Sequence, residues 1–493
     1  MKRFFKLTAI VVVSLFALII VIKLFIFLRD KHEGAHNLQL LREDLRAKGE
    51  KLTFSELVEA KPVPAAENFY ADPIWQFAWD AIPDKHPSNP KKKIMPWDAP
   101  LSAEEQNQLK ALVHADSAVA TERWLAIKQL QDSIIADAVG RADRAAFIQQ
   151  LMMPANPGIE KLSALSVRPF AYLPIRYEDG FYTRLPQLSP ILRFGQLAGG
   201  KALAEVILGK SEEAAKVIEA ELRIAEKLNE PIALMFLVRL NFLRYGVLPP
   251  LDYGIEKHAW TSGQLLAFQS ALEKENLIAV LERALCGERA CVNLSSLLEI
   301  FRLYGVEQSQ SLLITIAQWI YQDYQKFFFI RWVNQYIQIC RHPSDEGINA
   351  NQLPAPVVAE KNPDYLQREQ RISAVEKLPV LLNHDSIGSV ALEKAAVGQT
   401  QINQTVIACA LERYRISHGS YPVSLDALVP EYLTKIPNSP ISGKPMNYSL
   451  NPEGTFQLWS PGWNLKSLGG KPGEFKGDGD IVWGKSIPTK TKE

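Results

Sequence analysis

A long apolar run occupies the start of the chain. The 22 residues from Leu7 to Leu28 are interrupted by one charge, Lys23. At a helical rise of ~1.5 Å per residue, the run is long enough to cross the hydrocarbon core of a bilayer. A cleaved signal peptide has a shorter apolar region and a small-x-small site, and neither is present here. The pattern therefore predicts a cytoplasmic tail and transmembrane helix over residues 1–28.

The charges that flank this run predict its orientation. Lys2, Arg3 and Lys6 precede it, whereas the segment Arg29–Glu33 that follows is close to neutral. Under the positive-inside rule the N-terminus is cytoplasmic. We therefore expect a single-pass protein of the cell inner membrane whose remaining mass is exported, into the periplasm in a Gram-negative host.

Residues 29–101 differ from the apolar run in being polar and rich in proline. A short amphipathic helix is predicted around Leu38 to Ala47, and eight prolines follow at positions 62, 64, 73, 83, 87, 90, 96 and 100. Because proline interrupts long helices and central strands, this stretch predicts an extended, membrane-proximal spacer.

Residues 102–385 show helical periodicity from a capping box at Ser102–Glu105 onwards. The clearest passage is a helix over Leu192–Leu208, a turn at Gly209, and a second helix over Glu212–Leu228. An apolar stripe runs along the second helix at spacings of three and four residues: Ala215, Ile218, Leu222, Ala225 and Leu228. The pattern predicts a body of antiparallel helical hairpins, which resembles TPR arrays in texture.

A second apolar zone, Leu312–Cys340, raises the question of a second membrane span. Asp323, Lys326 and Arg331 divide it into runs shorter than the ~20 residues that a span requires. Buried core helices are the better interpretation.

Residues 386–493 predict a small α+β domain in an otherwise mainly α-helical chain. A helix is expected to end at His418–Gly419, where glycine favours the left-handed conformation of a helix C-cap. Two alternating runs, Met446–Leu450 and Thr455–Ser460, flank a turn with proline second and glycine fourth, which indicates a hairpin. Asp480–Trp483 predicts a third strand, so one long helix should pack on an antiparallel sheet.

Charge and cysteine content narrow the function classes. The 55 basic and 54 acidic residues give a net charge of +1, which offers no electrostatic basis for binding nucleic acid. Two readings of the four cysteines stay open. Cys286 and Cys291 form a small disulfide loop if a helix breaks at Gly287, or all four are buried thiols.

Other chemistry is weakly encoded. Gly195–Ala202 nearly matches the phosphate-binding loop, but Ala202 replaces the hydroxyl residue and the flanks are helical. Close helix packing at Gly199 and Gly200 is the preferred interpretation. Arg239 and Arg244 on an apolar helix either bind an anion or, as we prefer, extend past the apolar stripe or pair with an acidic residue. No nucleophile with a neighbouring base can be chosen, so catalytic residues are not assigned.

The C-terminal region resembles a known family. The segment ALERYRISHGSYPVSLDALVPEYLTKIPNSPISGKPMNY and the later FQLWSPGWN, GG and DGDIVW are similar to the head of the major pseudopilin of type II secretion systems. The N-terminus has no acidic residue before Asp30, where pseudopilins carry the glutamate that guides assembly, so the resemblance implies a head fold without polymerisation. The whole layout resembles uncharacterised membrane-anchored envelope proteins of planctomycete and verrucomicrobial type.

The pseudopilin resemblance also implies a Ca²⁺ site in the last loop. Carried over residue by residue, its ligands are Asn464, Asp478, Asp480 and the backbone carbonyl of Leu458. Two formal charges of the family's site are lost, which implies weak binding. The alternative is a glycine-rich loop with solvated aspartates.

Together these features predict a binding or scaffolding protein of the cell envelope. Its expected partners are the membrane, other envelope proteins and a type II secretion-like apparatus. The alternative function is an envelope hydrolase with its site in the helical body. A deep pocket lined by converging His, Asp or Glu side chains would favour the enzyme, and a shallow surface would favour a protein partner.

Overall fold

The computed structural model describes residues 2–58, 63–75, 129, 140–173, 175–183, 185, 187–294, 312–353, 384–473 and 479–485. Over these residues the protein is mainly α-helical with one small antiparallel sheet, as the hydrophobic pattern predicts. The capping box at Ser102, the predicted boundary at residue 101 and the predicted ligand Asp478 lie outside the described residues.

Helix α1 runs without a break over Lys2–Ala47, so the short helix predicted at Leu38 is its continuation. Its surroundings change along its length. Large apolar side chains in its first half are each at least 50 % exposed: Leu15, Phe16, Leu18, Ile19, Ile20, Val21, Ile22, Leu24, Phe25 and Leu28. Leu38 and Leu45 are buried and pack with Val292 and Ile330.

Among the residues that the structure describes, no helix is both long enough and apolar enough to cross a membrane.

The segment after α1 differs from the predicted spacer. It contains the short helix α2, Phe54–Leu57, and three 3₁₀ turns. Phe69, Tyr70, Ile74 and Trp75 are at most 2 % exposed and belong to the main core. The spacer expectation was based on the prolines, whereas burial of three aromatic rings outweighs the interruption that proline causes.

The helical body continues with α3 to α11. Their bounds are Arg141–Met152, Asn156–Leu165, Leu188–Ile207, Ser211–Lys227, Ala233–Phe242, Leu248–Glu256, Ser262–Leu272, Leu277–Leu294 and Leu312–Arg341. A π-helical turn, Leu243–Val247, joins α7 to α8. The α5–α6 hairpin turns at Gly209, whose φ is +75°, and the whole predicted stripe on α6 and its end is buried.

Glycines allow helices to pack closely at two places in the body. Gly199 lies in the middle of α5, where an added Cβ would be 2.4 Å from the carbonyl oxygen of Gly246. This confirms the packing interpretation of Gly199. At Gly287 an added Cβ would be 1.6 Å from the carbonyl oxygen of Pro231, so the glycine serves close packing and does not break α10.

The course of α10 decides between the two interpretations of the cysteines. Because α10 is continuous through Gly287, Cys286 and Cys291 do not form the disulfide loop. Within the described part of the chain none of the four cysteines forms a disulfide, and all four are buried, as the second interpretation states. The apolar zone beginning at Leu312 forms one continuous helix, α11, where several shorter helices were expected. The charged residues within the zone do not interrupt this helix.

The C-terminal module contains α12, His384–His418, and strands β1, Asn447–Leu450, β2, Phe456–Pro461, and β3, Asp480–Val482. The strands are antiparallel in the order β1-β2-β3, with Tyr448 opposite Leu458 and Ser460 opposite Ile481. Helix α12 ends where predicted, and Gly419 follows with a φ of +80°.

The body and the C-terminal module share one hydrophobic core. The same cluster contains body residues such as Phe268 and module residues such as Leu411 and Ile481. Helix α12 packs against α8, α9 and α10. The predicted boundary between residues 385 and 386 therefore lies within a continuous core, near the start of α12.

Candidate functional site

A cleft of about 560 Å³ lies in the helical body. Its walls come from the turn after α1, the end of α6, helices α7 and α10, and the end of α11. Its ionisable side chains are Glu50, Lys51, Glu226, Arg239, Lys274, Glu282, Arg283, Cys286, Arg289 and Arg341. The volume is within the range of small-molecule sites.

The turn after α1 brings Glu50 to the floor of the cleft. Gly49 ends the helix with a φ of +77°, a conformation that glycine adopts without steric cost. Glu50 Oε2 then accepts a hydrogen bond of 2.7 Å from Arg289, and Oε1 accepts one from Arg341. Burial alone would raise the pKa of Glu50, but the two guanidinium groups outweigh it and lower that pKa.

Arg289 is the most deeply buried cation of the cleft, with a side chain that is 0 % exposed. It also donates to Asn334 Oδ1 at 2.8 Å and to the Lys51 carbonyl at 3.0 Å. Pairing stabilises a buried guanidinium, and both Nη atoms of Arg289 are paired, whereas its buried Nε has no partner among the described residues. The floor is therefore a structural ion-pair network with a fixed geometry.

Cys286 lies between the two arginines but is not an activated nucleophile. Its sulfur is 3.9 Å from Arg289 Nη2 and 3.7 Å from Arg341 Nη2. Burial, together with the nearby Glu282 carboxylate, nevertheless raises the pKa of the thiol to about 12. The thiol is neutral near pH 7, whereas cysteine catalysis requires the thiolate.

Arg239 forms the second ion pair of the cleft. Its Nε and Nη2 donate to Glu275 Oε2 at 3.0 Å and 2.7 Å, and both side chains are less than 10 % exposed. The expectation that Arg239 pairs with an acidic residue is confirmed. Arg244 differs, because it lies over the Tyr245 ring at 5.8 Å and has no acidic partner among the described residues. Burial lowers the pKa of Arg244.

The predicted Ca²⁺ ligands lie in and after β2 and in β3. Asp480 Oδ2 accepts three hydrogen bonds, from Ser467 Oγ, the Leu468 amide and the Gly470 amide, at 2.7 to 3.1 Å. Its Oδ1 is buried and has no partner among the described residues. The Leu458 carbonyl accepts the Trp483 amide at 3.0 Å.

Asn464, the remaining described ligand, forms a local turn in which Oδ1 accepts the Lys466 amide at 3.0 Å. The described part of the chain contains no group of three or more His, Cys, Asp or Glu side chains arranged to hold a metal. Among the predicted ligands, Asp480 has an acceptor oxygen, Oδ1, that is not hydrogen-bonded within the described residues.

A histidine–carboxylate pair joins the body to the C-terminal module, and sequence reasoning missed it. His258 Nδ1 is 3.0 Å from Glu412 Oε1. The imidazole is 48 % exposed, and the carboxylate is fully buried. Burial raises the pKa of Glu412, but hydrogen bonds from Arg415, Tyr421 and His258 outweigh this effect and lower that pKa.

Comparison of the chain with protein-family models, curated proteins and solved structures gave no match. The pseudopilin-like head therefore stays a prediction from the quoted residues.

The cleft itself was not predicted, and a partial signal for it exists in α10. Asn276 and Val280 precede Arg283, Cys286 and Arg289 at spacings of three and four residues, which places them on one helix face. Their partners are distant in sequence, however. Glu50 and Arg341 are 291 residues apart, and nothing local in the sequence indicates that they meet.

Proposed function

We propose that this protein is a single-pass, membrane-anchored protein of the cell envelope, and that its exported part acts by binding and not by catalysis. The proposed membrane anchor rests on the change in side-chain exposure along α1. Ten large apolar side chains between Leu15 and Leu28 are at least half exposed. A continuous apolar surface of this kind is unfavourable in water and is stable in lipid.

The proposed topology is tested with tags at each end of the full-length protein. In spheroplasts we expect added protease to remove a tag after Glu493 and to leave a tag before Met1 intact. The protein should sediment with membranes and resist carbonate extraction. A protected C-terminal tag, or full-length protein free in the cytosol, would overturn the proposal.

The state of the acidic groups in the cleft supports binding over catalysis. Glu50 and Glu282 are held in ion pairs with arginines, and Cys286 is a neutral thiol. A general acid or base needs a pKa near the working pH and a free position beside the substrate. These groups instead provide a fixed, charged surface.

The pseudopilin-like head suggests a place beside a type II secretion-like apparatus, with envelope proteins as partners. Crosslinking in cells, followed by isolation of the detergent-solubilised protein, tests this part. We expect secretion components to be enriched relative to an unrelated single-pass protein. Equal recovery from the two baits would contradict the association.

We also propose weak binding of Ca²⁺ at Asp480, with Asn464, Asp478 and the Leu458 carbonyl as further ligands. The buried and unpartnered Oδ1 of Asp480 supports this, since carboxylate oxygens suit a hard cation. Calcium should raise the unfolding temperature of the wild type and leave that of Asp480→Asn unchanged, with Mg²⁺ as the control. The same response of both proteins to calcium would exclude the site.

The alternative is an envelope hydrolase. One observation favours it, because Glu412 orients the exposed imidazole of His258 as the aspartate does in a catalytic triad. No hydroxyl or thiol is hydrogen-bonded to the other ring nitrogen among the described residues. Hydrolysis of ester or amide substrates that is lost in His258→Gln would favour this alternative.

A further inference from the structure

The charges that line the cleft do not balance. The floor is neutral, because Arg289 and Arg341 face Glu50 and Glu282, and Arg239 faces Glu275. The remaining ionisable groups at the rim are three cations, Lys51, Lys274 and Arg283, and one carboxylate, Glu226. The rim of the cleft therefore carries two more positive than negative charges. The carboxylates of the floor are already paired with arginines and do not neutralise this surplus.

None of the rim cations forms an ion pair within the described part of the chain, although the charge of Arg283 opposes the burial that raises the pKa of the Glu230 carboxyl. Lys51 and Lys274 form no side-chain hydrogen bond or ion pair there, and Arg283 forms no ion pair. Cations at the rim of a concave site attract anions more strongly than isolated surface cations, because the low-dielectric walls focus their field.

Arg283 is fixed in place before any ligand arrives. Its Nε donates to the Asn229 carbonyl at 2.9 Å and its Nη2 to the Leu57 carbonyl at 3.3 Å. Its Nη1 donates no hydrogen bond to the residues that the structure describes. A guanidinium already held by two backbone carbonyls loses little freedom when it binds, which is the condition for strong oxyanion recognition.

The N-terminus of α10 adds to this field. Asn276, which immediately precedes the helix, and Ala279 and Val280 in its first turn line the same cleft. The 18-residue helix places the positive end of its dipole there. The rim cations and the helix terminus thus favour the same sign of ligand charge.

We propose that the cleft binds a soluble organic anion that carries phosphate or carboxylate groups, with Arg283 and Lys274 as the principal contacts. The volume of about 560 Å³ exceeds the size of an inorganic phosphate and suits a sugar phosphate or a polycarboxylate. This inference names the ligand class for the binding role proposed above.

The distance of the cleft from the proposed membrane anchor favours a soluble ligand over a lipid headgroup. If the membrane ends near Leu28, the remaining 19 residues of α1 extend ~29 Å at 1.5 Å per residue. Glu50 and the cleft lie beyond that end. A lipid headgroup would therefore be out of reach, and this step depends on the proposed membrane anchor.

Titration calorimetry on the full-length protein in neutral detergent tests the inference. The probes are glucose 6-phosphate, citrate, inorganic phosphate and mixed micelles of the same detergent that contain phosphatidylglycerol. We expect saturable 1:1 binding of glucose 6-phosphate or citrate that weakens with added salt. Arg283→Gln and Lys274→Gln should each weaken that binding roughly tenfold, as the loss of a charged hydrogen bond does.

Lys216→Gln is the matched control, since Lys216 makes an exposed pair with Glu212 on the outer side of α6 and should bind like the wild type. The proposal is wrong if none of the soluble probes binds, if only the phosphatidylglycerol micelles bind, or if the Arg283 and Lys274 variants bind like the control. Unfolding temperatures show that each variant is folded. A failed topology experiment leaves these binding data unaffected, so the two proposals fail separately.

Discussion

Replacement of Asp252 by asparagine should change how stability depends on pH. Asp252 on α8 accepts 2.8 Å hydrogen bonds from Thr405 on α12 and from the Trp483 indole after β3. Burial raises the pKa of the carboxyl to about 7, although the two hydrogen bonds lower it. Asparagine has nearly the same shape, keeps an oxygen acceptor and carries no charge.

The sign of the pH effect on stability follows from the number of protons that the folded and unfolded states bind. Between its ordinary pKa of 3.8 and about 7, Asp252 is protonated in the folded protein and ionised in the unfolded chain. The folded state therefore binds more protons, and stability falls as pH rises through this window. From pH 5 to 7, at about 1.36 kcal/mol per pH unit, the loss is at most about 3 kcal/mol. Residual exposure of Asp252 screens the charge and roughly halves that value.

Urea unfolding followed by tryptophan fluorescence at pH 5 and pH 8 measures this difference. The wild type should lose about 1 to 3 kcal/mol more than Asp252→Asn between these pH values. Asp426→Asn, which removes an exposed carboxylate from the C-terminal module, should behave like the wild type. Parallel pH profiles for wild type and Asp252→Asn would refute the reasoning.

Three further substitutions test the packing by their effect on the free energy of unfolding. Glu221→Met should stabilise the protein by about 1 to 3 kcal/mol, because both carboxyl oxygens of Glu221 are buried without a partner and burial raises its pKa; a loss of stability would contradict this. Gly287→Ala should cost about 3 kcal/mol or more, since its Cβ would overlap the Pro231 carbonyl, and a neutral effect would disprove the close packing. Arg289→Met should cost about 1.5 to 3 kcal/mol by removing a charged hydrogen bond to Glu50, which keeps its pair with Arg341; a wild-type urea midpoint would show that the Arg289–Glu50 pair is dispensable.

Local patterns predicted the elements whose causes are local. The α5–α6 hairpin, the end of α12 at Gly419 and the β1–β2 turn depend on residues within a few positions of each other, and each lies where its pattern indicates. The ion pair between Arg289 and Glu50 joins residues 239 apart, and no periodicity encodes such a contact. The cleft therefore became visible only with the tertiary structure.

The predicted spacer shows why composition can mislead. Proline in the segment up to Trp75 limits regular helices and strands, but it does not prevent burial. Phe69, Tyr70 and Trp75 pack their rings 5.0 to 5.3 Å apart, and 3₁₀ turns hold them in the core. In the described residues up to Trp75 the segment is therefore packed into the core and is not an extended chain.

The continuity of α1 makes the orientation of the body a matter of residue count. Each helical residue turns the chain by ~100° and advances it by ~1.5 Å. One residue inserted between Leu28 and Leu38 would rotate everything that packs on Leu38 and Leu45 by about a quarter turn relative to the first half of α1. Four inserted residues would bring the angle back to within about 40° of the original. The direction in which the cleft opens is thus set by the length of this stretch as well as by its composition.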